Sequence, residues 1–122
     1  MPAPVGPYSP VVRAGDLVVT SGQLGLAPGP DGVVALVEGG AAPQLAQALR
    51  NGEAVLADAG ARKDQVIKAT LLLADISEFA ACNDVWIEFF GDHRPARTAF
   101  AVAALPLGAA VEVELWASSP TT

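Results

Sequence analysis

Apolar positions recur along this chain with two different periods, and the change from one to the other marks out its elements. Across residues 42–59, Leu45, Ala48, Leu49, Gly52, Val55, Leu56 and Ala59 repeat at the spacing of one helical face, with Gln44, Gln47, Arg50, Asn51 and Asp58 toward the other side. Pro43 suits the first turn and Gly60 a C-terminal stop, so an amphipathic helix is predicted there. A second stripe, formed by Phe79, Cys82, Val85, Trp86, Phe89 and Phe90, predicts another helix. Asp75 with Glu78 resembles a capping box at its start, and Gly91 ends it. Residues 66–73 are apolar at nearly every position, the pattern of a strand covered on both faces, with Ile67, Ala69, Leu71 and Leu73 on one of them. Shorter strands are predicted at residues 16–21, ending at Gly22, and at residues 33–37, with a Pro- and Gly-rich turn between them at 27–32. Residues 98–104 and 110–117 read as two strands joined at Leu105-Pro106-Leu107-Gly108, and a hairpin is expected. The first ten residues carry four prolines and should be extended.

This order of strands and helices lets both helices lie on one face of one sheet and leaves the other face apolar and uncovered, a surface that needs a partner. At 122 residues the chain is expected to be one domain, 1–122. Composition sharpens the point, because 52% of residues are hydrophobic, only 16% are charged and the mean hydropathy is +0.40. A membrane is not expected to absorb the surplus: the apolar run at residues 98–111 contains Pro106 and Gly108 and falls short of the about 20 residues a spanning helix needs. No basic segment precedes an apolar one, so no secretory signal is expected. An interface between identical chains is the better place for the excess.

Net charge is −6, and no block of Lys or Arg offers a face to a phosphate backbone, so nucleic acid is excluded as an expected partner. A single cysteine, Cys82, suits a reducing cytoplasm and reads as a buried structural thiol on the second helix. Gly-rich phosphate loops and the CxxC, HExxH and GxSxG motifs are absent, and one His with one Cys does not supply a zinc site. His93, just past a helix end, reads as a solvated residue rather than a base.

Four features carry possible chemistry. Arg97 enters an apolar strand, and a cation there needs a partner, for which its planar fork suits a carboxylate. The residues alone leave open whether that partner is a ligand or a surface Asp or Glu. Glu112 and Glu114 alternate on the last strand, sharing a face with Trp116 and placing their carboxylates roughly 7 Å apart; either reads as an edge charge, a salt partner or a holder of water. In the expected hairpin, Arg97 lies opposite about residue 116 and Glu112 is roughly 13 Å further along, so a site using both requires a subunit interface or an irregular register. Asn83 borders the apolar stripe and needs hydrogen-bond partners, and Tyr8, in the extended arm, is either an anchor or a lid.

Taken together, the chain resembles the RidA/YjgF family from end to end. The resemblance rests on Gly6-Pro7-Tyr8-Ser9, Thr20-Ser21-Gly22-Gln23, residues 66–70 with Leu73-Ala74-Asp75, residues 83–90, Pro95-Ala96-Arg97 and Val111-Glu112-Val113-Glu114, in that order. It implies an α+β, chorismate-mutase-like fold: a single mixed β-sheet with two helices packed on one face, assembled as a homotrimer with clefts between subunits. It implies hydrolysis of reactive enamines and imines, such as 2-aminoacrylate, to 2-oxo acids and ammonia, with no metal or organic cofactor. Carried over residue by residue, Arg97 clamps the substrate carboxylate, Glu112 holds the attacking water, and Tyr8, Ser21, Gly22 and Asn83 line or support the cleft. Such a site works chiefly by proximity, because an imine carbon is already electrophilic. The sequence departs from the family pattern at Pro10, at Arg94 (where an aromatic is common), at Ala99 and at Leu107-Gly108. Two rivals share the cleft: a non-catalytic protein that binds small carboxylates, and a chorismate-mutase-type enzyme, which would want more cations than this chain provides.

Overall fold

A computed structural model describes residues 6–121. A five-stranded sheet is built from β1 (Val11–Ala14), β2 (Leu17–Thr20), β5 (Val66–Leu73), β6 (Ala96–Ala101) and β7 (Val111–Ser118), in the order β1-β2-β7-β5-β6. A separate hairpin pairs β3 (Leu26–Pro28) with β4 (Val34–Leu36). Helix α1 (Ala41–Asp58) leads from that hairpin to β5, and α2 (Phe79–Phe90) connects β5 to β6. The mixed α+β architecture, with two helices on one sheet, agrees with the pattern of the sequence.

Three local expectations are corrected. The last two strands do not form a hairpin: β5 lies between β6 and β7, pairing parallel with the first and antiparallel with the second. The expected hairpin turn is a short helical turn, Pro106–Gly108, within a connection that passes the end of β5. Ile67 is 51% exposed and does not share the face of Ala69, because an irregularity between Val66 and Lys68 turns Val66 inward instead. Gln44 and Asn51 of α1 are buried rather than solvated. Gln44 Oε1 accepts the Ala110 N–H at 2.8 Å, and Asn51 Nδ2 donates to the carbonyls of Leu24 and Leu26 at 3.0 and 2.9 Å. Periodicity alone reads polar residues as outward-facing, whereas here the side chains satisfy backbone groups that arrive from distant segments. The edge strand β1 is an addition to the sequence reading, with Gly15 at φ +60° in the tight turn to β2.

Both helices bury their stripes against one sheet face. Leu45, Leu49 and Leu56 of α1 and Cys82, Trp86 and Phe90 of α2 share a core with Ala69, Leu71, Leu73, Val111, Val113 and Leu115. Gly25 approaches the backbone of α1 so closely that a methyl there would lie 2.5 Å from the Gln44 carbonyl oxygen, which fixes the helix against the chain leading into β3. Asp75 caps the turn Ile76–Glu78 ahead of α2, accepting from the Ser77 N–H at 2.9 Å, while the Glu78 carboxylate accepts the Ala41 N–H at the start of α1. The opposite sheet face carries Val12, Val19, Leu72, Phe100 and Trp116 among Thr70, Glu112 and Glu114, and among the described residues no helix covers it.

Asn51→Leu keeps the side-chain size but leaves two carbonyls without their donor. Stability should fall by about 1–3 kcal/mol, the cost of unsatisfied buried polar groups. Thermal and chemical denaturation of the variant check this, and an unchanged midpoint would mean that the two bonds do not hold the hairpin segment.

Candidate active site

Pairing with β5 decides where Arg97 points. Arg97 is opposite Ala69, and Ala69 is opposite Leu115, so all three lie on the helix-covered face. Helix α2 presents its aromatic stripe there, and the guanidinium carbon is 5.0 Å from the Trp86 ring centroid and 5.2 Å from that of Phe79. Burial pulls the Arg97 pKa below its ordinary value, with the neighbouring Cys82 acting in the opposite sense. Among the described residues the one ion pair joins Arg62 and Asp64, so Arg97 lacks the surface carboxylate partner that would make it a purely structural residue. Asn83, Trp86, Ile87, Arg94, Pro95 and Arg97 line a cleft of about 450 Å³. Asn83 has a buried side-chain oxygen with no hydrogen-bond partner among the described residues.

A second cluster gathers around Glu112. Gln23 bridges to Val113, with Gln23 N–H donating to the Val113 carbonyl at 2.7 Å and Val113 N–H returning to Gln23 at 3.0 Å. This draws Gly22 against Glu112, and a methyl on Gly22 would overlap the carboxylate. Ser21 donates its hydroxyl to the Ser9 carbonyl at 2.6 Å and its N–H to Pro10 at 2.9 Å, tethering the arm that carries the 45%-exposed Tyr8. The Ser21 hydroxyl is thereby used to hold the arm. Desolvation raises the Glu112 pKa from its ordinary 4.5, and the charge of Glu114 adds to the shift.

The structure sets Gly22 against Glu112, with the neighbouring Ser21 tethering the arm that carries Tyr8, and places Asn83 with Arg97 in another cleft. It does not bring the two groups together within one chain. Val111, Val113 and Leu115 face the helices, so Glu112 projects from the other side of the sheet, away from Arg97. Trp86 and Arg94 complete the Arg97 cleft, Phe79 backs the guanidinium, and none of the three was anticipated as a site residue. Asn83, Trp86 and Ile87 share a helical face at spacings of three and four, but their meeting with Arg97 requires the parallel β5–β6 pairing. Cys82, fully buried, has its thiol pushed up to about 11 by burial and then by Glu78, so at neutral pH it is a protonated thiol, not a nucleophile.

A fold of this kind has relatives among known proteins. The sequence profile of the Endoribonuclease L-PSP family matches residues 1–119, and the chain belongs to that family, also known as RidA/YjgF. A 2-iminobutanoate/2-iminopropanoate deaminase from Capra hircus is 46% identical over 93% of this chain and 80% of its own length. The crystal structure of RidA from the Antarctic bacterium Psychrobacter sp. PAMC 21119 superposes with a TM-score of 0.88 at 39% identity, covering 96% of this chain and 92% of the other. E. coli TdcF with bound serine gives 0.86 at 32% identity, over 96% and 91%.

Because the folded state raises the Glu112 pKa, it binds this proton more tightly than the unfolded chain does. The resulting stabilisation is complete below the unfolded pKa and is lost as pH rises through the raised value. Glu112→Gln, neutral throughout, should therefore melt higher than the parent near neutral pH, and the gain should disappear below about pH 4. Melting curves across pH test the sign, and a variant that melts lower at neutral pH would contradict it.

Proposed function

We propose that this protein hydrolyses reactive 2-imino and 2-enamino acids to 2-oxo acids and ammonia, at sites shared between subunits of a homotrimer. One observation carries the reading: Arg97 is a partly desolvated cation held over two aromatic rings, without an ion-pair partner among the described residues, in a cleft that Asn83 also lines. A ligand carboxylate supplies the partner that the protein does not, bonding in two-pronged fashion to the guanidinium. Asn83, which lines the same cleft, is suited to hydrogen-bond the substrate nitrogen through its amide. Identity of 46% to a protein that carries the deaminase name, and the serine bound to TdcF, support a small amino-acid-like ligand.

In the reaction, water adds to the iminium carbon while Glu112 takes one of its protons. The proton passes to the nitrogen, the C–N bond breaks, and R–C(=NH2⁺)–COO⁻ plus water becomes R–CO–COO⁻ plus ammonium. A carboxyl whose pKa is raised by desolvation is a better base than an ordinary one. Because the sheet of a single chain separates Glu112 from Arg97, the complete site takes Arg97 and Asn83 from one subunit and Glu112, Gly22 and Tyr8 from a neighbour. The uncovered face with Val12, Val19, Leu72, Phe100 and Trp116 is the surface available for that assembly. The net charge of −6 argues against the ribonuclease activity in the family's description. The single, buried Cys82 suits a reducing cytoplasm, and among the described residues no helix is long and apolar enough to cross a membrane.

The direct test is ammonia release from imines generated by an amino-acid oxidase. Arg97→Lys should lose most of this activity, roughly tenfold or more, with the assembly and melting temperature retained, because Lys keeps the charge but lacks the fork. A surface salt-bridge residue is worth only about 0–1 kcal/mol, so near-normal turnover would remove Arg97 from the site.

Sharing between subunits has its own signature. Arg97→Ala and Glu112→Gln chains, each inactive alone, should partly recover activity when unfolded together and reassembled, since some sites then receive both intact residues. Mass measurement should show a trimer. Absence of recovery in mixed trimers would place both residues in one chain's site.

A further inference from the structure

The cleft beside Arg97 contains a second cation that hydrolysis of a simple imino acid does not require. Arg94 lines the same space of about 450 Å³, three residues before Arg97, and no Asp or Glu contributes to the lining. The chain has 13 acidic residues against seven Lys and Arg, so two arginines on one acid-free cleft run against its overall charge. Arg94 is exposed and, like Arg97, has no ion-pair partner among the described residues.

Its backbone, by contrast, is held on both sides. His93 Nε2 lies 2.6 Å from the Val66 carbonyl oxygen, and its ring packs edge-on against Phe90. Pro95 fixes the following φ and itself lines the cleft. Arg94 is thus a free side chain on an anchored loop at the cleft, while Arg97 is held in place by the two aromatic rings. Trp86 and Ile87 supply apolar wall in the same lining, suited to the methylenes of a substrate chain.

We propose that Arg94 directs this cleft toward 2-imino acids that carry a second carboxylate on the side chain. The 2-carboxylate pairs with Arg97, the side-chain carboxylate pairs with Arg94, and the imine carbon is left between them for water. The reaction is the same balanced hydrolysis, a 2-iminodicarboxylate and water giving a 2-oxodicarboxylate and ammonia. This rests on the deaminase reading above and adds the substrate class.

The test compares the assembled protein on the imines that oxidases form from glutamate and from norvaline, which has a similar chain without the second charge. The parent protein should show the higher kcat/KM on the glutamate imine, chiefly through KM. Arg94→Ala should lower the ratio of the two kcat/KM values roughly fivefold, the worth of one partly exposed charge pair, and Arg94→Glu should lower it further. Added salt should shrink the preference of the parent. A parent ratio of one or below, or a ratio that neither substitution changes, overturns the proposal. Calorimetric binding of 2-oxoglutarate against 2-oxopentanoate separates the two readings. Preference for the dicarboxylate, lost in Arg94→Ala, with no imine hydrolysed at all, upholds the role of Arg94 and removes the deaminase.

Discussion

Alternation of side chains along a strand is the constraint on which the rest of this structure depends. Successive residues of β7 point to opposite faces, so the valines and leucine that complete the core oblige Glu112 and Glu114 to face the other way. The same rule, applied through β5 to β6, turns Arg97 toward the helices. Two groups that chemistry would bring together are thus assigned to opposite sides of one sheet. In the trimer proposed above, association completes the site, and the apolar residues on the uncovered face give that association its driving force.

Electrostatics reinforces the division. Each half of the proposed site keeps a charge in a partly desolvated position without an ion-pair partner among the described residues: Arg97 over Trp86 and Phe79, Glu112 against Gly22. Both pKa values are displaced toward the neutral form, the direction that desolvation dictates. Unpaired charges of this kind cost stability and are useful when a ligand completes them. The contrast with Arg13 is instructive. That arginine is satisfied by the carbonyls of Ala59, Gly15 and Ser119 and the hydroxyl of Ser119, so it ties the edge of the sheet to the end of α1 and has nothing left to offer a ligand.

Glycine shapes the site by approach more than by flexibility. Gly22 leaves room for the Glu112 carboxylate, and Gly25 lets the chain touch α1. Such contacts join segments far apart in sequence, which is why the string of residues shows a Gly but not the atom it makes room for.

Hydrophobic period by itself determined that this chain has two amphipathic helices and a long apolar strand at residues 66–73, because burying one face of a helix or a strand leaves a repeat of fixed length. Motif order further determined the family, and pointed to Arg97, Glu112, Asn83 and Gly22 as the residues of the proposed site. Strand partners were not legible: residues 98–104 and 110–117 look like a hairpin locally, and only the packing of α2 on the sheet inserts β5 between them. Buried Gln44 and Asn51 were misread for a related reason, since the carbonyl and amide groups they satisfy come from residues 24, 26 and 110. The convergence of Arg94, Arg97, Trp86 and Asn83 on one cleft was likewise decided by tertiary structure. Period records which face of an element is apolar, whereas which element lies against that face is settled by the packing of the whole chain.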